Sequence, residues 1–162
     1  MDKTLQTHKI SDSLICNLER TARVARVSAY RFFDENPNID ITFNEFLIIE
    51  TLFDTPKIHQ GDLARILSRG AANLSRDLEK LETKGIIKRT LETKDKRIVK
   101  TLVLTQTGEN IYHNVMNESY NHVMEIEKIF STEEYQQFLD YITRLKIKLA
   151  ESCDYTYKNE SK

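Results

Sequence analysis

One predicted helix carries amide and cationic side chains on the same side. Such groups can form hydrogen bonds with the edges of DNA bases. When Leu74 and Leu78 face the core, Asn73 and Arg76 lie on the opposite side. An amide pairs with adenine and a guanidinium with guanine through two hydrogen bonds, each pair giving roughly 1 to 3 kcal/mol of discrimination. We expect DNA contact from this helix by Arg69 at its entry, by the small Ala72, and by Asn73, Arg76 and Lys80. For Arg76, a phosphate contact or an ion pair with Glu79 is the alternative.

A second cationic cluster follows at a predicted turn, where Lys94, Asp95, Lys96 and Arg97 place three cations and one carboxylate together. Such a cluster suits a narrow minor groove, whose concentrated negative potential attracts arginine. Asp95 stands two residues before Arg97 and is placed to hold its guanidinium. We therefore expect these four residues to contact DNA, with an ordinary solvated turn as the alternative.

The charge distribution agrees with a contact surface in the middle of the chain. The net charge is -1, yet residues 60–104 hold 11 Lys and Arg against six Asp and Glu. The segments before and after them are acidic. A basic centre between acidic ends is typical of a nucleic-acid surface carried by a scaffold that makes no contact, although a basic segment alone is a weak signal.

Several function classes lack their required residues. The four glycines are too far apart for a GxGxxG or P-loop motif, and the two cysteines, Cys16 and Cys153, form neither a CxxC pair nor a disulfide framework. The four histidines include no HExxH, and the sequence offers no paired carboxylates or nucleophile arrangement. We expect no enzyme activity, no cofactor and no metal site within one chain. The polar N-terminus and the absence of a long apolar stretch predict a cytoplasmic protein without a membrane segment.

The elements that carry these residues can be predicted from periodicity and caps. A first helix covers about 11–36, and capping boxes at Thr42–Glu45 and Ser131–Glu134 begin the second and last helices. A short third helix runs from 60 to 67, and the fourth packs Ala71, Leu74, Leu78 and Leu81 inward before it ends at Gly85. Strands before and after a polar turn at 92–96 form a hairpin, and a long helix starts at Thr105.

This order predicts a mainly α-helical fold with a small β-wing, a winged helix-turn-helix within a single domain of 162 residues. Residues 42–104 form its DNA-binding part. The helices in 11–36 and 105–150 have wide apolar faces that need a partner, so we expect them to form a homodimer. Residues 151–162 are predicted to be a flexible tail.

The sequence resembles the MarR family of transcriptional regulators. The resemblance covers nearly the whole chain and rests on segments quoted in order: Asp62-Leu63-Ala64, Asn73-Leu74-Ser75-Arg76, Leu81-Glu82-Thr83-Lys84-Gly85-Ile86-Ile87-Lys88-Arg89, Asp95-Lys96-Arg97 and Leu104-Thr105-Gln106-Thr107-Gly108. It implies an obligate dimer that binds a palindromic promoter site in double-stranded DNA, usually as a repressor released by a small molecule or an oxidant. It also implies that Arg97 enters the minor groove with Asp95 as its orienting partner. His59 departs from the family, which often has Ser or Thr as the cap of the third helix.

Two kinds of signal are compatible with the first helix. Cys16 has Arg20 and Arg23 one and two turns away on the same side, and such cations favour a reactive thiolate. Its position is similar to that of the sensing cysteine in the organic-hydroperoxide branch of the family, with Tyr30 as a counterpart of an assisting tyrosine. An aromatic residue of that branch is replaced by Arg20, however, so an unreactive cysteine is the alternative.

The other signal is a small anionic or aromatic effector in a cleft between the dimer helices and the winged part. Arginines and aromatic residues on the first helix are candidates to receive it: Arg20, Arg23, Arg26, Arg31, Tyr30 and Phe33. Ion pairs with acidic neighbours are the alternative role for these arginines. For the whole protein, a winged-helix protein-interaction module without DNA binding is the alternative.

Overall fold

A computed structural model describes residues 13–94 and 97–152, without the side chains of 92–94 and 97–100. The elements in these residues are α1 (Leu14–Glu35), α2 (Phe43–Asp54), α3 (Gln60–Ile66), α4 (Ala71–Thr83), β1 (Ile87–Lys94), β2 (Arg97–Leu104), α5 (Gln106–Glu127) and α6 (Thr132–Ser152). The predicted order of elements is confirmed. The fold is a winged helix-turn-helix in which α3 and α4 form the helix pair and the two strands form the wing.

Both predicted capping boxes are present and explain where α2 and α6 begin. The Thr42 hydroxyl accepts the Glu45 amide at 3.2 Å, while the Glu45 carboxylate accepts the Thr42 amide at 2.8 Å. Ser131 and Glu134 exchange the same two bonds at 3.3 and 2.8 Å. Each box satisfies two amides that have no partner inside the helix.

The ends of α4 agree with the sequence except at one residue. The chain leaves the helix through Lys84 and turns at Gly85, whose φ of 68° is the left-handed conformation that glycine adopts without strain. Ala71 was predicted to pack inward, and this is wrong: it is exposed in the first turn of the helix. The core under α4 begins one turn later, at Leu74.

The wing is longer than predicted. Its strands are antiparallel and pair from Ile87 with Leu104 to Lys94 with Arg97, so residues 92–94 extend β1 instead of belonging to the predicted turn. At the base, the Leu102 amide donates to the Ile58 carbonyl at 2.9 Å, which joins the wing to the segment before α3. The wing is thereby part of the same body as the helix pair.

The core lies mainly in the winged helix-turn-helix part, between α2 and the wing. Leu63, Leu74, Leu78 and Leu81 are fully buried between α3, α4 and the base of the wing. By contrast, α1 buries only Phe33 and α6 buries none of its residues. Burying a leucine or isoleucine contributes about 1.5–3 kcal/mol, so the central part is stabilised by its own side chains while the terminal helices keep apolar faces in solvent. Within residues 13–94 and 97–152, no helix has the length and apolar character needed to cross a membrane.

Candidate nucleic-acid interface

The outward face of α4 presents the predicted donors. Leu74, Leu78 and Leu81 are fully buried and fix which side of the helix faces the core. On the opposite side the small and polar residues predicted for DNA contact are exposed: Ala72, Asn73, Arg76 and Lys80. The predicted alternative pairing of Arg76 with Glu79 does not occur in the described part of the chain, where the Glu79 carboxylate accepts the Ser75 hydroxyl at 3.4 Å. The Arg76 guanidinium is therefore available to a ligand.

Arg69 lies directly before α4, as the sequence suggested, but its side chain is paired inside the protein. Its Nη2 donates to Asp77 Oδ2 at 2.6 Å, and both side chains are only 17% exposed. Its other terminal nitrogen, Nη1, is buried and has no hydrogen-bond partner among the residues that the structure describes. The guanidinium is thus directed into the protein toward α4. The sequence did not indicate Asp77 as a partner of Arg69. The two residues are eight apart, one before α4 and one inside it, and such a pair leaves no periodic pattern.

The tip of the wing falls partly outside the described residues. Lys94 and Arg97 form the last backbone pair of the hairpin, so the structure places both at its end. Asp95 and Lys96 lie outside the described residues. Orientation of Arg97 by Asp95 and entry of the tip into a minor groove stay predictions.

An ion pair that the sequence did not predict joins the wing to α4. Arg89 Nη1 in β1 donates to Glu82 Oε2 near the end of α4 at 2.5 Å, and each side chain is about one third exposed. The two residues are seven apart across the turn at Gly85, a spacing that helix periodicity does not reveal. The pair helps to fix the wing relative to α4, although an exposed pair of this kind adds about 1 kcal/mol at most.

The base of the wing is also tied to α5. The Thr105 hydroxyl donates to the Gly85 carbonyl at 2.6 Å and accepts the Gly108 amide at 3.2 Å as the N-cap of α5. The Thr105 amide donates to the Ile86 carbonyl at 3.0 Å. These bonds join the start of α5 to the residues that directly follow α4. By contrast, α3 begins at His59 without a side-chain capping bond, as the departure from Ser or Thr implied.

Helices α2 and α5 meet at an aromatic stack beside two carboxyl groups. The rings of Phe53 and Tyr112 are stacked with centroids 4.0 Å apart. Burial raises the pKa of Glu50, and the nearby Asp54 adds to this effect. Burial likewise raises the pKa of the Tyr112 phenol, with smaller contributions from Asp54 and Glu50. At the junction between α2 and α5, burial thus disfavours the charged forms of both Glu50 and Tyr112.

The sensor candidates on α1 are spread along the helix. Cys16 is half-buried in its first turn, where its amide donates to the Ser13 hydroxyl at 3.3 Å. Arg23 pairs with Glu19 at 2.7 Å, so one of the two cations expected to act on the thiol is already engaged. The Tyr30 hydroxyl donates to Asn44 Oδ1 of α2 at 2.9 Å, more than three helical turns from Cys16. Arg20 is exposed. Cys153 lies outside the described residues.

A groove of about 640 Å³ lies between the C-terminal half of α1 and α5. The ring of His122 is stacked on Phe32 at 5.1 Å between centroids, and its Nε2 is 3.3 Å from the Ser28 hydroxyl. The other lining residues are Val24, Val27, Arg31, Glu35, Asn36 and Pro37. Of the arginines proposed to receive an anion, the groove includes only Arg31, which is 3.8 Å from Glu35.

Comparisons with known proteins agree with this geometry. The model of the MarR family matches residues 41–99, from just before α2 into β2. An uncharacterized HTH-type transcriptional regulator of Bacillus subtilis, YybA, is 23% identical over 128 residues, which is 79% of this chain and 85% of YybA.

Solved structures share the fold at low sequence identity. A MarR/EmrR family transcriptional regulator from Acinetobacter aligns with a TM-score of 0.74 at 20% identity, over 89% of this chain and 99% of that one. The MepR protein of S. aureus in complex with DNA aligns with a TM-score of 0.66 at 20% identity, over 87% of this chain and 99% of MepR. The arrangement of helices, helix pair and wing is therefore one that a DNA-bound protein also adopts.

Proposed function

Because the chain belongs to the MarR family of winged-helix transcriptional regulators, we propose that it is a homodimeric repressor that binds a palindromic promoter site and leaves it on a chemical signal. The family consists of DNA-binding regulators, not enzymes. The proposal concerns the finer properties: the dimer, the symmetry of the site, the sign of regulation and the release.

The observation that carries the proposal is the outward face of α4. Asn73 and Arg76 are exposed on it, opposite three fully buried leucines that hold the helix in place. A helix with anchored apolar residues and free amide and guanidinium donors suits base edges in a major groove. A protein-interaction module has no need of such donors, so this face favours DNA binding over that alternative.

The exposed apolar side chains support the homodimer. Of 17 large exposed apolar side chains in the described residues, 15 lie on α1, α5, α6 or the link between the last two helices. A monomeric protein rarely leaves so many on one group of helices. A second copy of the chain covers them economically, and its twofold axis gives two α4 helices that read a palindrome.

Selection of bound sequences from a random DNA pool tests the proposal. We expect a palindrome whose half-site centres are about 10 base pairs apart, because two recognition helices enter successive major grooves about 34–36 Å apart. Arg76→Ala protein, selected in parallel, is the control and should enrich a degenerate site. No enrichment by the wild type over non-specific binding would favour the protein-interaction alternative.

The same selected site separates the two candidate signals. If the signal is an oxidant, peroxide should release the wild-type protein from the selected DNA site but should not release Cys16→Ser. Release of that variant would reject the thiol switch.

If the signal is an anionic or aromatic effector, the observation that supports it is the groove lined by Arg31, Phe32 and His122. Benzoate, as a simple aromatic carboxylate, should then weaken DNA binding by the wild type but not by Arg31→Ala; equal effects on both proteins would reject this site.

A further inference from the structure

We infer that the Arg69–Asp77 ion pair is a positioning device that sets the rotation of α4 and thereby the sequence selectivity of DNA binding. The inference rests on the proposed function of α4 and deepens it. It assigns to Arg69 a role other than the direct DNA contact that its place in the sequence suggested.

Arg69 connects the two helices of the pair. Arg69 lies in the short connection between α3 and α4, directly after Ser68, whose φ of 50° marks the sharp turn between the two helices. Its backbone amide donates to the Ala64 carbonyl of α3 at 2.9 Å, while its side chain reaches Asp77 of α4. A single residue therefore holds both helices of the pair, one through the backbone and one through the guanidinium.

Asp77 lies on α4 beside the residues predicted to contact bases. Asp77 follows Arg76 directly and stands one turn after Asn73, the two residues predicted to read bases. Its side chain is largely buried and lies at the border between the core side of α4, which carries Leu74 and Leu78, and the exposed side. Apolar contacts between leucines are not directional, whereas an ion pair at 2.6 Å has a defined donor and acceptor direction. The pair is thus suited to fix the rotation of α4 about its axis.

Base recognition is sensitive to the rotation of α4 about its axis. A side chain about 5–6 Å from the helix axis moves about 1.5 Å when the helix rotates by about 15°. Hydrogen bonds to base edges tolerate only a few tenths of an ångström around their preferred length. A rotation that leaves the fold intact is therefore enough to misplace Asn73 and Arg76.

The pair is also poorly explained as a stabilising contact. Both groups are largely removed from water, and Arg69 Nη1 has no hydrogen-bond partner among the residues described. Desolvation of two charges offsets most of their attraction, and an unsatisfied donor adds a further cost. A buried ion pair that fixes a geometry can be retained in spite of such a cost.

Asp77→Asn is the decisive variant, because a carboxylate near phosphates cannot itself favour DNA binding. We expect its affinity for the selected site to fall at least tenfold, while its affinity for random DNA stays within twofold of the wild type or rises. Arg69→Lys should lose selectivity similarly, and the double variant should lose no more than either single one, since both changes break the same interaction. Asp140→Asn, in the exposed pair with Arg144 on α6, is the matched control and should change neither affinity.

The opposite pattern would overturn the inference. If Asp77→Asn keeps its selectivity while Arg69→Lys loses it, Arg69 contacts DNA directly; if both affinities of Asp77→Asn fall in parallel, the pair only maintains the fold. Circular dichroism and thermal unfolding establish that each variant is folded.

A measurement without DNA separates this inference from the proposed function. Amide hydrogen exchange in α4 should accelerate at least tenfold in Asp77→Asn, with exchange in α2 unchanged, and equal exchange in α4 of both proteins would contradict the inference. If the wild type selects no DNA site, the proposed function fails, and hydrogen exchange still decides whether the pair restrains α4.

Discussion

Arg76 is the residue of the interface whose role can be measured most directly, because it is exposed and the helix that carries it is anchored by buried leucines. Removing its guanidinium in Arg76→Ala should cost about 1–3 kcal/mol of affinity for the selected site and much less for random DNA, as expected for a base contact. Fluorescence anisotropy with both DNAs measures the two losses. Lys128→Ala, in an exposed ion pair after α5, is the control. Equal losses on both DNAs would make Arg76 a phosphate contact.

Arg97 should behave differently, because a minor-groove or phosphate contact depends mainly on charge. Arg97→Ala should weaken binding to all sequences and reduce the slope of log affinity against log salt by about 1. Titrations at four salt concentrations measure the slope. Lys88→Ala in the other strand of the wing, β1, outside the predicted set, should leave a larger share of the affinity intact. An unchanged slope and affinity in Arg97→Ala would remove the wing from the mechanism.

For single residues, the sequence predicted which side chains of α4 point outward, but it did not predict which side chains form ion pairs with each other. Asn73, Arg76 and Lys80 could be identified because helix periodicity relates each of them to Leu74 and Leu78. The partner of Arg69 could not be identified, since Asp77 is reached only after the turn at Ser68 sets the angle between two helices. The pairing of Arg89 with Glu82 depends in the same way on the turn at Gly85.

At the scale of elements, the junction between the wing and α5 holds the DNA-binding part to the terminal helices, and Gly108 is its tightest point. A Cβ at this position would lie 2.4 Å from the Ile86 carbonyl oxygen, a backbone atom that already accepts the Thr105 amide. Gly108→Ala should therefore lower the free energy of unfolding by about 1–3 kcal/mol. Urea denaturation at one fixed protein concentration measures it.

Gly61 is the matched control for this substitution. A Cβ there meets nothing within 4 Å, and the residue lies inside α3. Gly61→Ala should raise the free energy of unfolding by about 0.5–1 kcal/mol, because alanine loses less conformational freedom in a helix. If both variants are equally stable, the crowding at the Ile86 carbonyl has no energetic consequence and the junction is looser than its geometry indicates.

The elements themselves could be predicted well where local chemistry determines them. The capping boxes of α2 and α6 and the glycine after α4 depend on residues within one turn, so spacing alone locates them. The inward position of Ala71 was wrong because α4 starts beyond the core, at the turn set by Ser68, and its first turn is therefore exposed. The wing extends beyond the predicted turn because cross-strand pairing as far as Lys94 and Arg97 outweighs the polar composition of residues 92–94.

At the scale of the whole molecule, the winged helix-turn-helix part holds most of the buried core, whereas the terminal helices leave apolar side chains exposed. The helix α6 has no buried residue, and α1 has one. Burial within the single chain therefore contributes little to the stability of these helices, and the proposed dimer, with an interface of about 1,200–2,000 Å², would add to it. Because α5 is joined to the wing through Thr105, we expect the proposed dimer to couple its geometry to DNA recognition, since a partner that orients α5 would also orient α4.

Val123→Glu tests this arrangement. Val123 is 42% exposed on α5, in line with the exposed Met116 and Tyr120, so a carboxylate there leaves the monomer core intact but opposes contact between two apolar faces. We expect a monomer by sedimentation equilibrium, with loss of the cooperative binding to a palindrome and retained weak binding to a half-site. Leu91→Glu is the control, because Leu91 is 68% exposed on the wing and should leave the oligomeric state unchanged. A Val123→Glu protein that remains dimeric with full affinity would place the subunit interface elsewhere than on this face of α5.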